Sequence, residues 1–138
     1  MNTRRFARNL VLDLCGRSIC KVRMAAVLSD SHGIFGWAWN HAGRDGSGTH
    51  AEEELLRFKK INRARMRGAT LTVAGYRGKA KNPVLSRPCE VFCLPLAQKC
   101  GIRIIEYLSK DGHWVTEHLV GEVLPTKLQK RQRRTAAN

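Results

Sequence analysis

Acidic residues are scarce. Asp and Glu total 11 against 25 Lys and Arg, a formal net charge of +14 over 138 residues. None lies beyond Glu122, so Lys127, Lys130, Arg131, Arg133 and Arg134 face no acid in the last stretch. The excess of base persists in the body of the chain when those five are set aside. Long apolar runs are also missing. No uninterrupted stretch approaches the ~20 residues of a membrane span, so no membrane partner is expected. Asn9, Asp13 and Arg17 break up the apolar residues of the basic N-terminal stretch. That pattern argues against a secretory signal and favours a surface helix over an organelle transit segment. An even set of cysteines is lacking. Five, unevenly spaced, argue against a disulfide scaffold and fit a reducing intracellular compartment better, cytoplasmic or nucleoid or nuclear. There is no internal repeat.

What is present suffices for one domain. Apolar residues make up 43%, enough for a single core at this length. The domain is expected to span residues 1–122, with residues 123–138 a basic flexible tail. A field of this sign attracts polyanions, nucleic acid above all.

Residues 3–16 have the pattern of an amphipathic helix anchored by Phe6, Leu10, Leu12 and Leu14. Residues 20–28 alternate as a half-buried strand does. Ser29-Asp30-Ser31-His32-Gly33 supplies turn chemistry, and residues 34–40 pair back as a hairpin. Gly43 to Gly48 is a polar, glycine-rich loop. A helix is predicted from Thr49 to about Arg67, with Ala51, Leu55, Phe58 and Asn62 on one face and Gly68 as its stop. Residues 69–76 read as a strand, 77–83 as a basic loop and 88–99 as a helix stopped by Gly101. Two strands then flank the hairpin signal Asp111-Gly112. Helices between strands imply an α/β fold, with a partly parallel sheet covered on both faces.

Chemistry concentrates in THAEEE and SRPCEVFC. His50, Cys89 and Cys93 are three candidate zinc ligands, a mixture of imidazole and thiolates that zinc takes readily. Three protein ligands leave a fourth tetrahedral position for an activated water. Glu52, two residues from the histidine, is the candidate to move protons to and from it. Both segments are predicted at helix N-termini, whose partial positive charge favours thiolates. Glu52 has a competing explanation: Thr49 to Glu52 matches a capping box. The competing explanations for His50 and for the cysteines are a first-turn surface histidine and core packing. Cys15, Cys20 and Cys100 are expected to be small buried residues, Cys100 too far along its helix to be a ligand.

His-x-Glu followed by Pro-Cys and a second cysteine resembles the signature of the zinc-dependent cytidine deaminase superfamily, in which the glutamate is the general acid/base rather than a ligand. The likeness covers about residues 20–118. It implies one Zn2+ per chain and a three-layer α/β/α sandwich, with a mixed five-stranded sheet ending in an antiparallel hairpin. It also implies hydrolytic conversion of cytosine to uracil, with Glu52 protonating N3 and then the leaving amine. Asn40 resembles the family's strand-end asparagine that contacts substrate; an Asx turn is its structural alternative. Ser86, Arg87 and Pro88 are placed to contact the base edge, and Trp39, His41 and Phe92 are stacking candidates. One departure stands out. Three residues separate Cys89 from Cys93 where many members have two, and Pro95 would disrupt a helix already under way. A looser metal loop, with the helix restarting near Leu94-Pro95, accommodates both. The direct turn between the last two strands resembles the cytidine-type branches and favours cytosine over adenine.

Two substrate classes follow. In single-stranded DNA or RNA, phosphates would follow Arg57, Lys59, Lys60, Arg63, Arg65 and Arg67 on one helix, Arg77, Lys79 and Lys81 in the next loop, and the tail. Free cytidine, deoxycytidine or dCMP would leave that charge incidental. A basic zinc-stabilised binding module without catalysis is the third reading.

Overall fold

The computed structural model describes residues 3–42 and 48–119. The expected tail, with Lys127, Lys130, Arg131, Arg133 and Arg134, lies outside the described residues, as do the 122/123 boundary and most of the Gly43–Gly48 loop.

The order is α1 (Thr3–Cys15), β1 (Val22–Asp30), β2 (Gly33–Trp39), β3 (His41–Ala42), β4 (Gly48–Thr49), α2 (Ala51–Glu53), a π-helical segment (Glu54–Phe58), α3 (Arg63–Met66), β5 (Thr70–Arg77), β6 (Asn82–Pro83), α4 (Cys93–Cys100), β7 (Ile104–Leu108) and β8 (Trp114–His118). The main sheet runs β2-β1-β5-β7-β8. Among the described residues only β5 and β7 pair in parallel, which makes the sheet mixed, as expected. Among the described residues it has six strands rather than five. The chain doubles back after β5 through Gly78 and Lys81, both at positive φ, and β6 pairs with Tyr76 and Arg77. The β7–β8 hairpin closes through Gly112 at φ 84°, the left-handed position the Asp-Gly signal calls for.

Helices cover both faces. On one, Ala7, Val11, Leu14 and Cys15 of α1 bury against Ala25, Val27, Ala74 and Leu108. That helical spacing makes the buried stripe. Phe6, expected to anchor α1, lies off the stripe and is half exposed. On the other face, Ala51, Leu55, Leu56, Ala97 and Cys100 pack on Ala26, Leu28, Leu71, Val73, Ile105 and Tyr107. The centre of β1 is therefore buried on both sides, not half-buried as its alternation suggested.

The helix expected from Thr49 to Arg67 is broken. The turn widens over Glu54–Phe58, Lys59 is extended, and Asn62 starts a new helix by accepting hydrogen bonds from the Ala64 and Arg65 amides. The detour brings Ile61 to the core. Gly36 makes room for it: a Cβ there would lie 2.6 Å from Ile61 Cδ1 and 3.1 Å from Leu55 Cδ1. Phe58 and Asn62, expected on the buried face, are exposed. The six cations from Arg57 to Arg67 thus share no single helix.

Candidate metal centre

The two chemical segments meet at the end of the sheet where β1 begins. His50 is the N-cap of α2, with extended backbone, and Glu52 is the second residue of that helix. Thr49 is not the N-cap and no side chain caps α2, so the capping-box explanation of Glu52 does not hold. Cys89 lies in the turn before α4, and Cys93 is that helix's first residue. Helix α4 begins one to two residues earlier than Leu94-Pro95. Pro95 stays within the first turn, where its missing N–H leaves no intrahelical bond unmade. The three-residue spacing is closed by the Cys93 amide, which donates to Cys89 Sγ at 3.3 Å, and by the Leu94 amide, which donates to the Cys89 carbonyl at 2.8 Å.

The ligand atoms of His50, Cys89 and Cys93 lie within 4.8 Å of one another, a group able to hold a metal ion. His50 Nδ1 is 3.3 Å from Cys93 Sγ and 3.9 Å from Cys89 Sγ. His50 faces solvent, Cys89 is half-buried and Cys93 is buried. Glu52 is 5% exposed. Burial lifts its carboxyl above the usual carboxylate range, against the pull of His50 and a hydrogen bond with Cys93. The helix end does not lower the Cys93 thiol as expected. Burial raises it first, then the negative charge of Glu52 and the neighbouring Cys89. A buried carboxyl and two sulfurs are thus packed with one imidazole, and a bound cation would favour the charged form of these ligands, which burial alone disfavours.

A cleft of about 280 Å³ opens over this group, lined by Val22, Met24, Asn40, His50, Ala51, Glu52, Arg87 and Cys89. Asn40 reaches it from the end of β2, but its amide is committed. Nδ2 donates to the Val22 carbonyl at 2.8 Å, while Oδ1 accepts from the Met24 amide at 2.9 Å and from the Ser18 hydroxyl. It ties the start of β1 to the end of β2 and so shapes the cleft wall. Arg87 stands at the rim, gripped by both oxygens of Glu117 at 2.7 and 3.3 Å and by Glu90 at 3.1 Å. Tyr107 donates to the same Glu117 at 2.6 Å. This Arg87 support was not foreseen, because spacing along the chain gives no sign that β8 lies beside the metal loop.

The other expected contacts are scattered. Trp39 packs on the α1 side of the sheet with Arg17 over its ring, facing away from the cleft. His41 Nε2 lies 3.0 Å from Glu54. Ser86 is fully buried and donates to the Val84 carbonyl. Pro88 is buried. Phe92 lines a separate hollow with Arg57, Arg63 and Lys99. Cys15 and Cys100 are buried as expected, whereas Cys20 is only half-buried, and all five cysteines are free thiols. Among the expected phosphate contacts, Arg57 pairs with Glu53 and Arg65 is held by Asp30. Arg63 reaches Cys100 Sγ at 3.4 Å. Lys59, Lys60, Arg67, Arg77, Lys79 and Lys81 are exposed. Among the described residues no helix is long and apolar enough to cross a membrane. No protein-family model matches the chain, and no curated protein is similar to it.

Proposed function

We propose that the protein is a zinc-dependent deaminase that hydrolyses cytosine to uracil in single-stranded nucleic acid. The observation that carries this is the convergence of His50, Cys89 and Cys93 to within 4.8 Å, with the buried Glu52 carboxyl beside them at a cleft. Tetrahedral zinc, with bonds of about 2.0–2.1 Å to nitrogen and ~2.3 Å to sulfur, requires nitrogen–sulfur edges of roughly 3.6 Å. The observed separations of 3.3 and 3.9 Å bracket that value. The donor set, one imidazole and two sulfurs, suits zinc and leaves a fourth position.

Zinc held there would supply a polarised water of lowered pKa. Glu52 would take a proton from such a water and pass it to N3 as oxygen adds to C4 of the ring. It would then take the proton of the new C4 hydroxyl and deliver it to the exocyclic amine, so that the C4–N bond breaks, the C4 carbonyl forms, and ammonia leaves with uracil behind. Burial excludes bulk water from this carboxyl, which strengthens its contacts. Val22, Met24 and Ala51 offer apolar walls to this cleft of about 280 Å³. Arg87, fixed at the rim, would hold the base or its phosphate.

The polymer reading is supported by what adjoins the cleft. Across Val22 lies a hollow of about 630 Å³ lined by Lys21, Arg23, Arg77 and Lys79. Lys81 lies in the next hollow, again with Arg23. Among the described residues none of these five forms an ion pair. Free cytidine or dCMP, the alternative, needs only the cleft.

The test offers zinc-loaded protein a cytosine-containing single strand, a duplex, cytidine and dCMP, and reads uracil by mass spectrometry. The single strand is expected to react most, with apparent affinity falling steeply in salt. Salt-indifferent turnover of cytidine would favour the alternative, and uracil from none of them would remove the catalytic reading. Glu52→Gln is expected to lose about 10²–10⁴-fold in rate while keeping its metal, an outcome that a pure binding module would not show.

A further inference from the structure

The opposite end of the sheet carries a second electropositive hollow, of about 610 Å³, far from the metal ligands. Its lining includes Arg4, Arg65, Arg67 and Arg103 against a single carboxylate, Asp30. Strand β1 separates the two ends: Val22 borders the metal cleft and Asp30 borders this hollow. Eight strand steps of ~3.3 Å put them roughly 25 Å apart.

The fold fixes the guanidinium of Arg65 and the backbone from which Arg67 and Arg103 extend. Arg65 is clamped by Asp30 through two bonds of 2.7 and 3.0 Å and lies 4.3 Å from the centre of the Phe35 ring. Arg67 and Arg103 sit on the two parallel connections that lead into β5 and β7. The Gly68 amide donates to the Gly101 carbonyl at 2.8 Å, and the Arg103 amide to the Ala69 carbonyl at 3.0 Å, so the connections are stapled side by side. Gly101, at φ 83°, lets the stem of Arg67 lie across it: a Cβ there would be 3.0 Å from Arg67 Cγ. Arg4 is drawn partly toward Glu106, at 3.9 Å. Arg67 and Arg103 are exposed and, among the described residues, have no acidic partner.

We propose that this hollow is a second phosphodiester-binding site, which holds the backbone of a single strand away from the metal centre. Planar guanidiniums on a fixed frame match phosphate oxygens two at a time. Hydroxyl groups of Thr3, Ser29, Ser31 and Thr70 share the lining, and no aromatic residue does. A protein partner would lack the apolar centre that protein interfaces need. The proposal extends the polymer reading above but is independent of the metal and of Glu52.

The test is fluorescence anisotropy with a labelled strand of about 16 nucleotides, across a salt series, on the Glu52→Gln protein. R67E/R103E is compared with a matched reversal elsewhere, K99E/K110E. The hollow's variant is expected to bind about tenfold or more weakly than the matched control, with the salt slope lowered by roughly 1.4 for two lost phosphate contacts. R67Q/R103Q, which removes charge without reversing it, should show the same effect in smaller degree if charge reversal disturbs folding. Equal affinities for the two reversed variants would overturn the proposal. So would competition by inorganic phosphate at concentrations far below those at which chloride acts, since that describes a small-anion site. Because binding is read without turnover, failure here and failure of the deaminase reading remain distinguishable.

Discussion

Glu106 and Glu52 are both buried carboxylates, and their surroundings differ in one respect. Glu106 has no exposed surface and pairs with Arg8, with Arg4 beyond at 3.9 Å. Among the described residues Glu52 has no Arg or Lys partner; the Cys93 thiol and His50 are the side chains that act on it. Burial disfavours the charged form of Glu52, which a cation held by His50, Cys89 and Cys93 would offset; Glu106 already has Arg8 beside it. Arg8→Ala leaves Glu106 stranded and is expected to cost about 3–5 kcal/mol in urea unfolding, well above the cost of Glu106→Gln. Asp30 gives a pH test. Arg65 holds its carboxyl down at about 2, below the ordinary value of 3.8. A depressed folded-state pKa means stability that is present above about pH 4 and lost as pH falls toward 2. Asp30→Asn is therefore expected to lower the urea midpoint at neutral pH, with the gap to the parent closing between about pH 4 and 2. A gap that stays constant through that range would exclude the ion pair as its cause. His50, Glu52, Cys89 and Cys93 could be picked out from the sequence because their residue types and spacings are rare in combination. The Arg87–Glu117 fork could not, since its partners are 30 residues apart.

At the scale of elements, hairpins were readable and helix continuity was not. Asp111-Gly112 and Ser29 to Gly33 announce turns by local backbone preference, which tertiary packing left intact. The stretch after Thr49 carries helical periodicity, yet the chain leaves the helix at Lys59 so that Ile61 can fill the space over Gly36. Packing outweighed propensity there, and nothing local encodes Gly36 as the partner. Gly75 has a similar duty nearer the site. It faces Met24 across β1 and β5, and a Cβ on it would lie 2.0 Å from Met24 Sδ and 2.9 Å from Val84 Cγ2. Met24 lines the metal cleft. Gly75→Ala is expected to push Met24 into the cleft and to cost about 1–3 kcal/mol from overpacking. Turnover, measured as uracil formed, should fall more than zinc content does. Unchanged kinetics would mean that Met24 does not bound the substrate space. Asn40, expected at the substrate, lines the cleft and also sutures β1 to β2. Asn40→Ala is expected to lower stability by about 1–3 kcal/mol as its buried partners lose their bonds, read as a drop in Tm.

Over the whole molecule, the excess of base is organised by the sheet. One end carries the candidate metal centre and the Lys21, Arg23, Arg77 and Lys79 hollow, and the other carries Arg65, Arg67 and Arg103. Composition announced the sign of the field, but its division between two ends depends on strand direction, which only the topology supplies. The mixed sheet and its two-sided cover were legible from the alternation of elements, and the sixth strand was not, because two residues leave no periodic trace. All of the function proposed above rests on His50, Cys89 and Cys93 closing round one ion. Native mass spectrometry of the chain purified with zinc tests this most directly. One zinc per chain is expected, retained in Glu52→Gln and lost when Cys89 and Cys93 are both changed to Ser; a chain that stays metal-free when offered zinc, or that holds it equally well without those sulfurs, would contradict the account.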